Sequence, residues 1–194
     1  MYAYLQGNFT YKNPAQVYID VNGVGYEVNI SLNTYSHIQN LEKGKLYIYL
    51  QVKEDGHTLF GFFEKAEKEM FLMLTGVSGI GAATGRMMLS SLKPEEVSRA
   101  IVQGNVKLLE SIKGIGKKTA ERLVLELRDK VAKQTDHLNL SAPAGNILEQ
   151  DALNALISLG ISRQQADQAI QKIILTENPS LPLEDLIKKA LKAI

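Results

Sequence analysis

Across residues 1–63 apolar and polar side chains alternate with the period of a half-buried strand. Gln16-Val17-Tyr18-Ile19-Asp20-Val21 and Gly25-Tyr26-Glu27-Val28-Asn29-Ile30 are two such runs, and Asn22-Gly23 between them is a strong hairpin signal. Lys45–Val52 and His57–Phe63 form a second pair around Lys53-Glu54-Asp55-Gly56. About five short strands fit the region, and an antiparallel barrel of the OB type is the most economical arrangement. After Glu64 the period lengthens to that of a helix. Ala66, Met70, Phe71 and Leu74 mark one helix, Pro94 with Glu95-Glu96 the first turn of another, and Ala120, Leu123, Val124, Leu127 and Val131 a long one from Lys117 to about Ala132. Residues 133–146 lose the period and read as a flexible linker. Three short helices follow, over about Glu149–Leu159, Arg163–Leu175 behind a Ser162 cap, and Leu183–Ala193.

The predicted class is therefore α+β and multidomain. A barrel spans 1–63, an all-α domain 64–132, a linker 133–146 and a tethered three-helix module, of a kind used for protein docking, 147–194.

One repeat stands out in the all-α part. Val77-Ser78-Gly79-Ile80-Gly81-Ala82-Ala83-Thr84 returns 35 residues later as Ile112-Lys113-Gly114-Ile115-Gly116-Lys117-Lys118-Thr119, each copy between two helices. This is a tandem helix-hairpin-helix. Glycines open torsions closed to other residues and clear side chains from the ligand side, while the next helix presents unpaired N–H groups and its positive dipole end. Each copy is thus a site for one DNA phosphate, with the central isoleucine packed between its helices. Gly79, Ile80, Gly81, Gly114, Ile115, Gly116, Lys117, Lys118 and Thr119 are the candidate DNA-binding residues. Arg86, one turn further on, is a candidate to compensate for Ala82 and Ala83, which stand where the second copy has lysines. No P-loop is present, because Gly116-Lys117 lacks both the earlier glycine and the hydroxyl residue that should follow. Nor is there a dinucleotide fingerprint, whose third glycine is replaced by Thr84 or Thr119.

Charge supports the same reading. The net +1 conceals a middle section, residues 64–134, with 13 Lys/Arg against 9 Asp/Glu. Cysteine is absent, which removes disulfides, thiol nucleophiles and cysteine-ligated metals; with no secretory start this points to the cytoplasm. His37, His57 and His137 are scattered without metal spacing, and all eight tyrosines, between Tyr2 and Tyr49, read as core or sheet-face residues rather than base-stacking ones. No cofactor, metal or catalytic constellation is indicated. A DNA-anchoring subunit of a nuclease or ligase, or a pure protein-interaction module, remains the alternative.

Taken over its whole length, the chain resembles the RuvA family of Holliday-junction-binding subunits. The likeness is carried by Gly23-Val24-Gly25-Tyr26-Glu27-Val28, by Gly114-Ile115-Gly116-Lys117-Lys118-Thr119-Ala120-Glu121-Arg122-Leu123, and more loosely by the C-terminal helices. It implies a non-catalytic homotetramer, or an octamer on DNA, that holds a four-way junction open without reading sequence. It also implies recruitment of the RuvB hexameric ATPase through the C-terminal module, with the RuvC resolvase as a further candidate partner. In the family an acidic turn acts as a pin near the junction centre, a role that falls here on Glu54 and Asp55. Relatives commonly carry a basic residue in the Ala82-Ala83 stretch, which puts a side-chain contribution from the first hairpin in question.

Overall fold

The computed structural model describes residues 2–54, 56–139, 144–176 and 182–193, as two compact units, Met1–Asp136 and His137–Ile194. In the first, β1 (Tyr4–Asn13), β2 (Gln16–Val21), β3 (Val24–Ile30), β4 (Lys43–Lys53) and β5 (Gly56–Phe62) close a barrel in the order β1-β2-β3-β5-β4. The expected Asn22-Gly23 turn forms, with φ of +53° and +87° and Gly23 N–H donating to Asp20 Oδ1 at 3.0 Å. The barrel is not wholly antiparallel: β3 and β5 pair in parallel over Val28↔Leu59, Asn29↔Phe60 and Ile30↔Gly61. A helix and a strand intervene between those two, so the chain re-enters beside β3 in the same direction. The alternation turns Leu5, Phe9, Val17, Ile19, Val28, Ile30, Leu46 and Ile48 inward. None of the tyrosines is fully buried: Tyr11 and Tyr18 face each other on the sheet at 4.9 Å, while Tyr26, Tyr35 and Tyr49 pack half-buried against the cores.

The intervening helix α1 (Leu32–Ile38) is not foreshadowed by apolar spacing, because its buried residues are Thr34 and Ile38. Ser31 caps it, accepting from Thr34 N–H at 3.0 Å.

Five helices complete the unit: α2 (Lys65–Thr75), α3 (Ala82–Ser91), α4 (Pro94–Val102), α5 (Val106–Glu110) and α6 (Lys117–Asn139). Phe60 and Phe62 of β5 belong to the helical core rather than the barrel core, packing on Phe71 of α2 at 5.4 and 4.9 Å between ring centroids. The barrel and hairpins are therefore joined by a shared apolar interface. On α2 the buried stripe is Glu67, Met70, Phe71 and Leu74; Ala66, placed on that stripe by the sequence reading, is exposed.

Helix α6 passes the predicted end at Ala132 and continues to Asn139, so the first half of the proposed 133–146 linker is helical. Lys133–Asn139 has no apolar stripe, but neither has it a glycine or proline, and an established helix adds a backbone bond per residue without a new nucleus. Residues 140–143 lie outside the described set. The second unit packs α7 (Ala144–Ser158), α8 (Arg163–Thr176) and α9 (Leu183–Ala193) around Leu153, Leu156, Ile170, Ile173 and Leu186. Helix α7 starts five residues before the predicted Glu149. Among the described residues no helix is long and apolar enough to cross a membrane.

Candidate nucleic-acid interface

The two hairpins share one backbone geometry. Gly79 has φ +94° and Gly114 φ +93°. Ile80 N–H donates to Val77 O and Ile115 N–H to Ile112 O, both at 3.0 Å. The first helical bonds are Gly85 N–H to Gly81 O and Ala120 N–H to Gly116 O, both at 2.9 Å. The amides of residues 82–84 and 117–119 therefore precede the first helical bond of their helices and point out of the helix ends. Ile80 and Ile115 are buried in the shared core, 4% and 5% exposed, as their position between the helices requires.

The glycines divide by role. Gly79 and Gly114 occupy the left-handed region, where a side chain costs about 1–2 kcal/mol. Gly81 does not: its φ of −82° and ψ of 170° suit any residue. A Cβ placed on Gly81 or Gly116 would meet nothing within 4 Å. The fold has no use for glycine at these two positions. What the missing side chain leaves is open approach to a helix N-terminus, which a phosphate can use.

The hairpins also lie close to each other crosswise. A Cβ on Gly79 would lie 3.9 Å from Thr119 Oγ1, and one on Gly114 3.8 Å from Thr84 Cγ2. Thr119, expected at the DNA, is half-buried against the opposite hairpin. Arg122, which the sequence left undecided, donates to Ser78 O at 3.1 Å, so the second hairpin's helix is braced to the first hairpin's turn.

Side-chain charge is unequal between the copies. Lys117 and Lys118 are exposed beside their amides. In the first copy Ala82 is 5% exposed and part of the core, so that position has no room for a phosphate-seeking side chain, while Ala83 is exposed. The structure places Arg86 against the barrel. Its Nη1 donates to Ala15 O at 3.0 Å and Asn29 Oδ1 at 3.1 Å, both in the barrel, and burial lowers its pKa from the ordinary arginine value.

At the end of β4, Glu54 is exposed on the turn closed by the Lys53↔Gly56 pair. Asp55 lies outside the described residues.

One polar cluster was missed by sequence reasoning. Glu67 of α2 is fully buried and accepts from the hydroxyls of Ser31 and, at 2.7 Å, Thr34. Thr34 Oγ1 in turn accepts from Phe63 N–H at 2.9 Å. Burial raises the Glu67 pKa, and the hydrogen bonds from Ser31 and Thr34 oppose that only in part. The available signal was a carboxylate on an apolar stripe.

Known proteins match this layout segment by segment. Residues 1–61 match the family model described as RuvA N terminal domain, 71–129 SAM-like Helix-hairpin-helix tandem, and 148–194 RuvA, C-terminal domain. A protein of Christiangramia forsetii named Holliday junction branch migration complex subunit RuvA is 47% identical over 194 residues, all of both chains. Proteins of the same name from Flavobacterium psychrophilum and Bacteroides thetaiotaomicron are 46% identical over 192 residues and 44% over 202, covering 99% and 100% of both chains. With barrel, paired hairpins and C-terminal helices all accounted for at this identity, the chain belongs to the RuvA family.

Proposed function

We propose that this protein is the non-catalytic junction-binding subunit of a branch-migration complex. It grips backbone phosphates of a four-way DNA junction through the amide ends of α3 and α6 and reads no sequence. Four copies surround the junction with the acidic turns near its centre. One face is left for a second tetramer or the RuvC resolvase, and the C-terminal unit recruits the RuvB ATPase in the cytoplasm. A nuclease or ligase anchor is not favoured, since the full-length relatives are named as branch-migration subunits.

The observation that carries this reading is the empty space at Gly81 and Gly116, where glycine serves no torsion and no packing. The test is a gel-shift titration against a four-way junction and a linear duplex of matched composition. Junction binding should be tighter by at least about tenfold and should weaken steeply with salt, because released counterions dominate the affinity. Equal affinity for the two DNAs at equal salt would overturn it.

The turn at Glu54 and Asp55 supplies discrimination. Carboxylates there repel strands that pass close, which disfavours continuous duplex across the centre. Replacing both, Glu54→Gln with Asp55→Asn, should raise duplex affinity by about threefold to tenfold, on the order of 1 kcal/mol in water. Unchanged duplex affinity together with an unchanged rate of motor-driven branch migration would remove the pin from the account.

A further inference from the structure

Arg86 sits on α3, the helix whose N-terminus forms the first clamp, yet its Nη1 is held by the barrel. Its partner Asn29 faces two ways. Oδ1 accepts from Arg86 at 3.1 Å, and Nδ2 donates to Leu59 O of β5 at 3.4 Å. Strand β5 leaves the acidic turn, and Asn29 pairs with Phe60 on it in the short parallel seam that closes the barrel. Hydrogen bonds thus run from the clamp helix, through Asn29, to the strand that carries the pin. One helical turn beyond Arg86, Ser90 Oγ accepts from Leu32 N–H at 3.1 Å, so α3 is fastened to the barrel side at two points along one face. The second clamp takes its bearing from the first, through Arg122 on Ser78 O.

We propose that Arg86 and Asn29 are a positioning pair that fixes the first clamp relative to the acidic turn, setting selectivity for a junction over plain duplex without touching a phosphate. The inference rests on the pin reading above. Repulsion from the pin discriminates only if the clamps deliver DNA to a fixed place, and a half-buried guanidinium holding two barrel oxygens is a stiff, charge-assisted joint.

The test uses the full-length protein and compares binding to a four-way junction and a matched duplex over a series of salt concentrations. Asn29→Ala should lower the junction-to-duplex affinity ratio about fivefold, the worth of one such hydrogen bond, and Arg86→Leu, which also loses the bond to Ala15 O, by more. The double variant should be little worse than Arg86→Leu alone, because that change already cuts the link to Asn29. Arg86→Lys, which keeps the charge and a single donating nitrogen, should recover part of the ratio. The slope of log affinity against log salt should not change. Should Arg86→Leu fail to fold, Asn29→Ala and Arg86→Lys carry the test alone.

Equal losses on both DNAs with a salt slope smaller by about 0.9 would make Arg86 a phosphate ligand and overturn the proposal. An unchanged ratio in Arg86→Leu and Asn29→Ala would overturn it as well. If instead Glu54→Gln with Asp55→Asn leaves the ratio alone while Arg86→Leu lowers it, the pin reading falls and takes the reference to the acidic turn with it, and the pair sets selectivity through placement of the first clamp alone.

Discussion

Placing aspartate at both open glycines, Gly81→Asp with Gly116→Asp, should weaken junction binding by at least about a hundredfold while leaving the fold as stable as before or slightly more so. Each glycine immediately precedes a helix, and at Gly81 the torsions are those of an N-cap. Aspartate is among the best residues there: its carboxylate accepts from the amides of the first turn and meets the positive dipole end, for about 0.5–1 kcal/mol. Those are the amides assigned to DNA. The introduced carboxylate would occupy the phosphate site and repel the phosphate, removing two charge-assisted contacts worth about 1.5–3 kcal/mol each. Thermal unfolding and junction titration on the same preparation check both halves. Lost stability would mean the glycines serve the fold after all, and retained affinity would mean the hairpins do not hold phosphate. Gly79→Ala or Gly114→Ala should behave oppositely, lowering stability first, because φ near +94° is strained for alanine.

The contrast between these glycines shows what the sequence could and could not disclose. A repeat in register 35 residues apart, each copy between helical runs, was enough to identify the tandem hairpins. Which glycine serves the torsion and which the ligand depends on φ, and both look alike in one dimension. The barrel partners of Arg86 were hidden for a related reason. Ala15 and Asn29 lie 71 and 57 residues away, so spacing along α3 could not disclose the oxygens that the tertiary fold brings to its guanidinium. Helix α1 escaped notice because half of its buried face is a threonine, and the continuation of α6 because the missing apolar stripe was taken for missing helix. In α1 the local pattern recorded who faces the core, and the helix was overlooked because a polar residue, Thr34, does.

Glu67 is the extreme instance, and its removal should have the largest effect on stability. Glu67→Ala leaves the buried hydroxyls of Ser31 and Thr34 without their acceptor and opens a void between α1 and α2. The expected cost is about 3 kcal/mol, a fall in Tm of about 6–12 °C for the unit that contains it. Glu67→Gln separates shape from charge. Burial raises the carboxyl pKa in the folded protein above its unfolded value, so the favourable contribution of Glu67 is complete below the unfolded pKa of 4.5 and is lost as pH rises through the folded value. At pH 4 the protonated glutamate and glutamine are near-isosteres, and wild type and Glu67→Gln should melt within a few degrees. Toward pH 7 wild type must keep a desolvated charge that glutamine lacks, and Glu67→Gln should gain on it steadily. A Tm difference between the two that stays flat from pH 4 to pH 7 would show that the hydroxyls of Ser31 and Thr34 fully offset the burial. A Glu67→Ala protein that melts with wild type would show that the barrel and hairpins are held by the Phe60, Phe62 and Phe71 contacts alone.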